Sequence, residues 1–491
     1  MKYKLWGAFL FLCAIALSLA APLLESGWSS SRYHQHLEAR VKAEETKGDG
    51  FFTHLPLVEI ETNGVEIPGR AVYRADGTEY YTTAADGGES ISAHMDIVDH
   101  ELEYNHPEDP PTLSSDITIH VRGNSSRSFD KPSYAVRLVT EDGMNNPQKV
   151  MGMDAHHEWV LYGPYLDKTL LRNYMWYNIG GEIMDYAPNV RFCEVMLNGE
   201  YQGVYVMTEK VTAGDNGARL PLTVNAKQNT FSGYLLQLNG DRPPSNNQLT
   251  DQFTYYTKRT KYQMDIVYPG RSNMTPEIRQ AISQDFSDFE KALYSYDYDS
   301  ESYGYPSMID TQSFIDYFLI NELTCNYDAG WLSTYLYKDT SGKFHTCLWD
   351  MNSACDNYDK IQTEPMAFQM QYCLWYVMMM KDEDFVNALI NRYWQLRETY
   401  FSEDYLFDYI DSTVAYLGDA IDRNYSVWGY TFQKQYDLLL PTERNPRSFE
   451  EAVDQTKDFL SRRIPWMDKN IDTLKQYSAE SKVKKFNENA N

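Results

Sequence analysis

Apolar positions recur every second residue over much of the first half of the chain and every three to four residues over its last third. Residues 117–122 (Ile-Thr-Ile-His-Val-Arg) alternate strictly, so Ile117, Ile119 and Val121 share one face of a strand and His120 and Arg122 the other. Residues 134–139 repeat the pattern, with Ala135 and Arg137 opposite Tyr134, Val136 and Leu138. Residues 55–67 alternate around Asn63-Gly64, and Asn198-Gly199 joins strands over 191–197 and 201–211 in the strongest short hairpin signal. Residues 233–239 read as a buried strand and 255–268 as a strand ending at Pro269-Gly270. Asp167 is placed to cap a helix over 168–184, and Asp310 one over 311–325, while 275–297 is helical. Leu406, Ile410, Val414, Leu417 and Ile421 form a helical core stripe, with Ser402, Glu403 and Asp404 at its start. A β-rich first part, a mixed middle and a helical last part predict an α+β chain with a cleft at the junction.

Composition narrows the function. The chain has 491 residues, 43% hydrophobic and 23% charged, which supplies ample core material. Lys and Arg number 44 against 70 Asp and Glu, a net charge of -26. That excludes nucleic acid as the main partner, because phosphate binding needs clustered cations. It suits a soluble protein, or one that acts on basic polypeptides.

Lys2 and Lys4 precede an apolar run, and Ser18-Leu19-Ala20 offers a cleavage site. Residues 1–21 are therefore expected to be an export signal or, uncleaved, a membrane anchor, the one route to a membrane. Residues 22–52 read as a linker and 478–491 as a polar tail. Beyond Cys13 in the signal there are five cysteines, with no C-x-x-C pattern. Disulfides are permitted by the expected compartment but not demanded. There is no G-x-G-x-x-G, P-loop, H-E-x-x-H or G-x-S-x-G motif. His156 and His157 are adjacent, and on a strand they would point apart.

The candidate chemistry lies in residues 326–352. Asp328 and Asp350 flank a predicted hairpin whose strands hold Tyr335, Tyr337, Phe344 and Leu348, and whose turn is Asp339-Thr340-Ser341-Gly342. This layout resembles that of protein kinases, where one Asp meets the substrate hydroxyl, a residue five positions on binds metal, and a second Asp binds the metals on the phosphates. Asp328, Ser333 and Asp350 occupy those places.

Five ordered blocks carry a wider resemblance. They are R-G-N-S-S-R-S-F-D-K-P-S-Y-A-V-R-L (122–138), D-K-T-L-L-R-N (167–173), L-N-G-E-Y-Q-G-V-Y-V-M-T-E-K-V (197–211), G-Y-L-L-Q-L-N (233–239) and the acid-hairpin-acid stretch ending W-D-M-N. Together they resemble the spore-coat protein H (CotH) kinase-like family over about residues 55–470. The resemblance implies an atypical two-lobed protein-kinase-like fold over 53–477, with a β-rich N-terminal lobe (53–211) and a mainly helical C-terminal lobe (212–477). It implies an exported enzyme that transfers the γ-phosphate of ATP to Ser or Thr of a basic or Ser-rich protein, with Mg²⁺ or Mn²⁺. The expected location is extracellular, at the cell envelope or on the spore surface.

Carried over residue by residue, Asp328 is the catalytic acid, and Asp350, Ser333 and Asn352 are metal ligands. Arg122, Gly123, Ser125 and Ser126 would cover the phosphates, Lys131 or Arg137 would neutralise them, and Glu209 would lie near adenine. Several positions depart from the family. Ser333 replaces an Asn, and Asn352, Gln237 and Asn239 replace acids. Each acid-to-amide change lowers the charge available to a cation. The alternative is a degenerate kinase fold that serves as a binding protein or scaffold.

Overall fold

Seven strands close into a barrel in the computed structural model, which describes residues 32–214, 219–238 and 247–482. The strands are β1 (Leu57–Glu61), β2 (Ile91–Val98), β3 (Leu113–Arg122), β4 (Ser133–Val139), β5 (Glu158–Tyr162), β6 (Val190–Leu197) and β7 (Glu200–Glu209). Their order around the barrel is β1-β6-β7-β5-β4-β3-β2. All neighbours are antiparallel except β1 and β6, whose parallel register runs from Leu57–Glu194 to Ile60–Leu197. Closure leaves no unpaired edge.

Alternation sets which side chains fill the interior. Ile117, Ile119 and Val121 face Leu138, Val136 and Tyr134 across β3 and β4, and all six are buried in one cluster. The Asn198-Gly199 turn takes φ of 51° and 75°, the mirror-image turn that matches strand twist. β6 is buried on both faces. Cys193 and Val195 look into the barrel, and Phe192 stacks on Tyr174 of helix α1 (Arg172–Ile183) at 4.1 Å.

The second half is mainly helical: α2 (Pro276–Leu293), α3 (Thr311–Thr324), α4 (Glu383–Arg397), α5 (Glu403–Leu417), α6 (Asp419–Trp428) and α7 (Phe449–Asn470). A four-stranded antiparallel sheet is embedded among them. Its order is β9 (Met264–Tyr268), β8 (Tyr234–Leu238), β10 (Thr334–Lys338), β11 (Phe344–Cys347). Helix α3 is buried from Ser313 to Thr324, with apolar residues on all its faces and its buried polar side chains, such as Asp316 and Glu322, paired to Arg392 and Arg463. Asp310 caps it by accepting from the Ser313 N–H at 2.8 Å. The chain is thus α+β, β-rich first and helical last.

Helix α6 fastens the barrel to the helices. Asn424 accepts from the Val204 N–H, and Trp428 donates to the Gln202 carbonyl. Gly203, at φ 93°, lies so close that a Cβ would meet Asn424 Oδ1 at 2.5 Å. Arg423 also grips Glu194 of β6 at 2.7 Å.

Several elements differ from their sequence patterns. The alternation in 55–67 yields one strand, because the chain beyond the Asn63-Gly64 turn crosses the barrel end, where Val121 donates to the Pro68 carbonyl. Residues 255–268 split into a helical turn, Phe253–Tyr256, and β9, since the Glu290 carboxylate holds the Thr254 N–H and hydroxyl. Helix α1 starts later than expected, although Asp167 still accepts from the Arg172 N–H at 2.9 Å. Within the expected linker, Gln35 exchanges two hydrogen bonds with the Phe192 backbone.

The export segment at 1–21, the linker as far as residue 31, Asn239 and the end of the tail lie outside the described residues. Among the described residues no helix is long and apolar enough to cross a membrane. The five described cysteines are free and buried.

Candidate active site

The hairpin β10–β11 brings its two flanking acids into each other's field. Helix α3 ends at Cys325, whose left-handed φ of 46° turns the chain out into Asn326-Tyr327-Asp328. The Asp328 carbonyl closes that turn by accepting from the Trp331 and Leu332 N–H groups. At the other strand end, Asp350 has φ 60° and Ser333 has φ 47°, both costly for residues with a Cβ. The Ser333 hydroxyl donates to Asp350 Oδ2 at 3.0 Å. The Asp350 N–H donates to the buried Tyr177 hydroxyl at 2.9 Å, which fixes the backbone of the second acid.

Three side-chain oxygens here are buried and without a donor: Asp328 Oδ1, Asn326 Oδ1 and Asn352 Oδ1. Such groups are rare in folded proteins, because each forfeits a hydrogen bond to water. The Asp328 carboxyl is pushed up to about 7, first by burial and then by the charges of Asp350 and Asp359. A carboxyl poised there can exchange a proton near neutrality. The oxygen-only donor set of Asp350, Asn352 and Ser333 fits a hard cation such as Mg²⁺ or Mn²⁺.

Arg122 comes from the barrel to this place. Its guanidinium lies 5.5 Å from the centre of the Trp349 ring, and Trp349 stacks on Tyr177. No carboxylate or carbonyl among the described residues holds it. Gly123 has φ 116°, and a Cβ there would meet Ser126 Oγ at 1.8 Å, so only glycine fits. The following turn carries exposed Ser125 and half-buried Ser126, and Arg127 ties it down by donating to the Gly123 and Gly69 carbonyls.

The other expected residues have partners of their own. Lys131 is buried, and its ammonium donates to the Val204 carbonyl at 2.6 Å and to Asn424 Oδ1 at 2.7 Å. Burial holds it well below its usual range, so it serves the seam with α6. Arg137 is exposed and donates to Asn145 Oδ1 at 2.8 Å. Glu209 is buried, pairs with Arg219 and accepts from the Asn189 N–H at 2.9 Å. Gln237 lies on β8, paired in register with Tyr335.

His156 and His157 do not point apart. The chain bends after His156 and their rings stack at 4.4 Å. Both His156 nitrogens are engaged, by the Ala213 carbonyl and the Glu158 N–H.

Two features of the site had no signal in the sequence. Tyr327 and Tyr358 stack at 4.5 Å beside Asp328, whose charge helps burial to raise the Tyr358 hydroxyl. Tyr177, on α1, is remote in sequence from both acids. Nothing in the pattern distinguishes these three among forty tyrosines.

Over 96 residues the chain is 31% identical to inner spore coat protein H of Bacillus subtilis (strain 168). That stretch is 20% of this chain and 24% of the relative, so the match spans about a quarter of the relative's length. Residues 119–467 match the family described as CotH kinase protein, well over half of the chain and inclusive of Asp328 and Asp350. The chain belongs to the CotH kinase protein family.

Proposed function

We propose that this chain is an ATP-dependent protein kinase of the CotH type, with the barrel and the helical half acting as two kinase-like lobes. The observation that carries this reading is Asp328 Oδ1, a buried carboxylate oxygen with no donor, set in the field of a second acid. A Ser or Thr hydroxyl of a protein substrate would fill that vacant acceptor. Its oxygen attacks the γ-phosphorus, the bond to the β-γ bridging oxygen breaks, ADP leaves, and the hydroxyl proton passes to Asp328. Asp350, Asn352 and Ser333 would hold Mg²⁺ or Mn²⁺, which supplies neutralisation of the phosphates when bound. Arg122 adds a fixed cation on the barrel side. The acidic charge of the chain favours a basic or Ser-rich substrate. Likeness to an inner spore coat protein and the export pattern at 1–21 support a place at the cell envelope or spore surface.

A second reading, a binding or scaffold protein on a degenerate kinase fold, has its own support. Lys131 and Glu209 are committed to internal partners, so among the expected cations Arg122 is left at the Trp349 ring, with Lys360 the positive charge felt by Asp328. The test is phosphate transfer from labelled ATP with Mn²⁺ to a basic Ser-rich protein. Asp328→Ala and Asp350→Ala are each expected to lower the rate about 10³-fold. Equal background in wild type and both variants would overturn the kinase reading. A melting point indifferent to ATP and Mn²⁺ would favour the scaffold.

A further inference from the structure

A second cluster of ligating groups sits at the turn end of the same hairpin, away from Asp328 and Asp350. His345 on β11, Asp310 at the start of α3 and Asp185 after α1 bring one ligand atom each within 4.8 Å of the others. The His345 side chain is 10% exposed, and its Nδ1 has no hydrogen-bond partner. Nδ1 lies 3.2 Å from Asp185 Oδ2, an ion-pair approach that falls short of full N–H···O alignment yet holds the Asp185 carboxyl below its usual range.

The ring cannot easily turn away. It stacks parallel on Tyr337 at 5.0 Å, and Nε2 lies 3.4 Å from the Ser341 hydroxyl. Asp310 is equally fixed, because its Oδ1 accepts from the Ser313 N–H. Its Oδ2 has no protein donor among the described residues. Asp185 is exposed, with 63% of its side chain in solvent, so the third ligand can adjust and an ion can enter. No Lys or Arg among the described residues pairs with Asp185 or Asp310, and Asp339 adds a further negative charge nearby.

We propose that His345, Asp310 and Asp185 form a binding site for a divalent transition ion, Zn²⁺ or Mn²⁺, separate from the acid pair. One imidazole nitrogen and two carboxylate oxygens suit such ions. Tetrahedral ligands around zinc stand about 3.3 Å apart, so a small shift of Asp185 closes the cluster. Water would complete the shell on the open side. The ion would tie the α1 exit, the α3 start and β11 together.

The experiment uses the untagged full chain carrying Asp350→Asn, so that the acid pair does not compete for metal. Co²⁺ is the probe, read by its visible d–d absorption and by titration, with Zn²⁺ and Mn²⁺ as competitors. One Co²⁺ per chain is expected, displaced by Zn²⁺. His345→Gln should abolish the band, and Asp185→Ala, a change at an exposed side chain, should weaken binding at least about tenfold. Absence of bound Co²⁺, or binding that survives both changes, overturns the proposal. Because the readout is metal binding in an Asp350 variant, its failure is independent of whether the protein is a kinase.

Discussion

Glu322 and Asp328 are both acids in the interior around the end of helix α3, and they are treated in opposite ways. The Glu322 carboxylate accepts from the Gln369 N–H at 3.1 Å and the Met370 N–H at 2.7 Å, and it pairs with the fully buried Arg463. Arg463 donates in turn to the Pro365 and Ala367 carbonyls at 2.7 and 2.8 Å. This hub pins the loop that follows the Asp350 hairpin onto α3 and α7. Asp328 has no cation in hydrogen-bond contact and an oxygen without a donor. A buried acid that holds the fold together has its lone pairs filled by the protein. One that is left short has them available to a ligand, and the fold bears the desolvation.

The largest expected effect breaks the filled side of this contrast. Arg463→Leu leaves Glu322 buried without its cation and frees three carbonyls. It should lower stability by about 3–5 kcal/mol. Urea unfolding followed by fluorescence would show the midpoint shift. Asp328→Ala in the same assay should lose nothing. If Asp328→Ala proves the more destabilising, the contrast between the two acids fails.

A smaller effect sharpens the unfilled side. The Asp328 carboxyl lies near 7 in the folded chain, against 3.8 unperturbed, so the native state takes up a proton that the unfolded state has lost. Its stability contribution is full below about pH 4 and disappears as pH rises through 7. A displacement of about three pH units sets a ceiling of about 4 kcal/mol, and partial access to solvent reduces it to about 2 kcal/mol. Asp328→Asn should therefore melt higher than wild type at pH 8, with chelator present, and at the same temperature at pH 4. A melting point unchanged at pH 8 would mean that the carboxylate is well solvated.

Much of this could be read from the chain, and what could not has definite causes. Period-two alternation identified the inward faces of β3 and β4, because burial on one side leaves little freedom of register. The order of short motifs pointed to the family and to both acids. For Lys131 and Glu209 the internal partners were not legible, for one reason. A sequence marks a charged residue beside a motif, but not whether a buried partner such as Asn424 or Arg219 waits for it across the fold. Tyr177 and Arg463 act through contacts far along the chain and leave no local trace. The barrel was likewise hidden, since the β1–β6 parallel pair that closes it joins strands remote in sequence.

The smallest effect concerns Asn352, whose Oδ1 is buried and unpartnered on the short turn after Asp350. Asn352→Asp adds an acid two residues from Asp350, which already repels Asp328. Without metal the third charge should raise the Asp328 carboxyl further and lower the melting point. With Mn²⁺ the extra anionic ligand should tighten binding about tenfold, close to 1.4 kcal/mol, as charge is added at a hard-cation site. The two signs must oppose each other: destabilised in chelator, more strongly stabilised by Mn²⁺. Calorimetric titration together with melting in both conditions measures the pair. Opposite signs would place Asn352 Oδ1 on the ion. A loss of stability that Mn²⁺ does not recover would mean that the amide oxygen faces protein, and that Asp350 binds the cation without it.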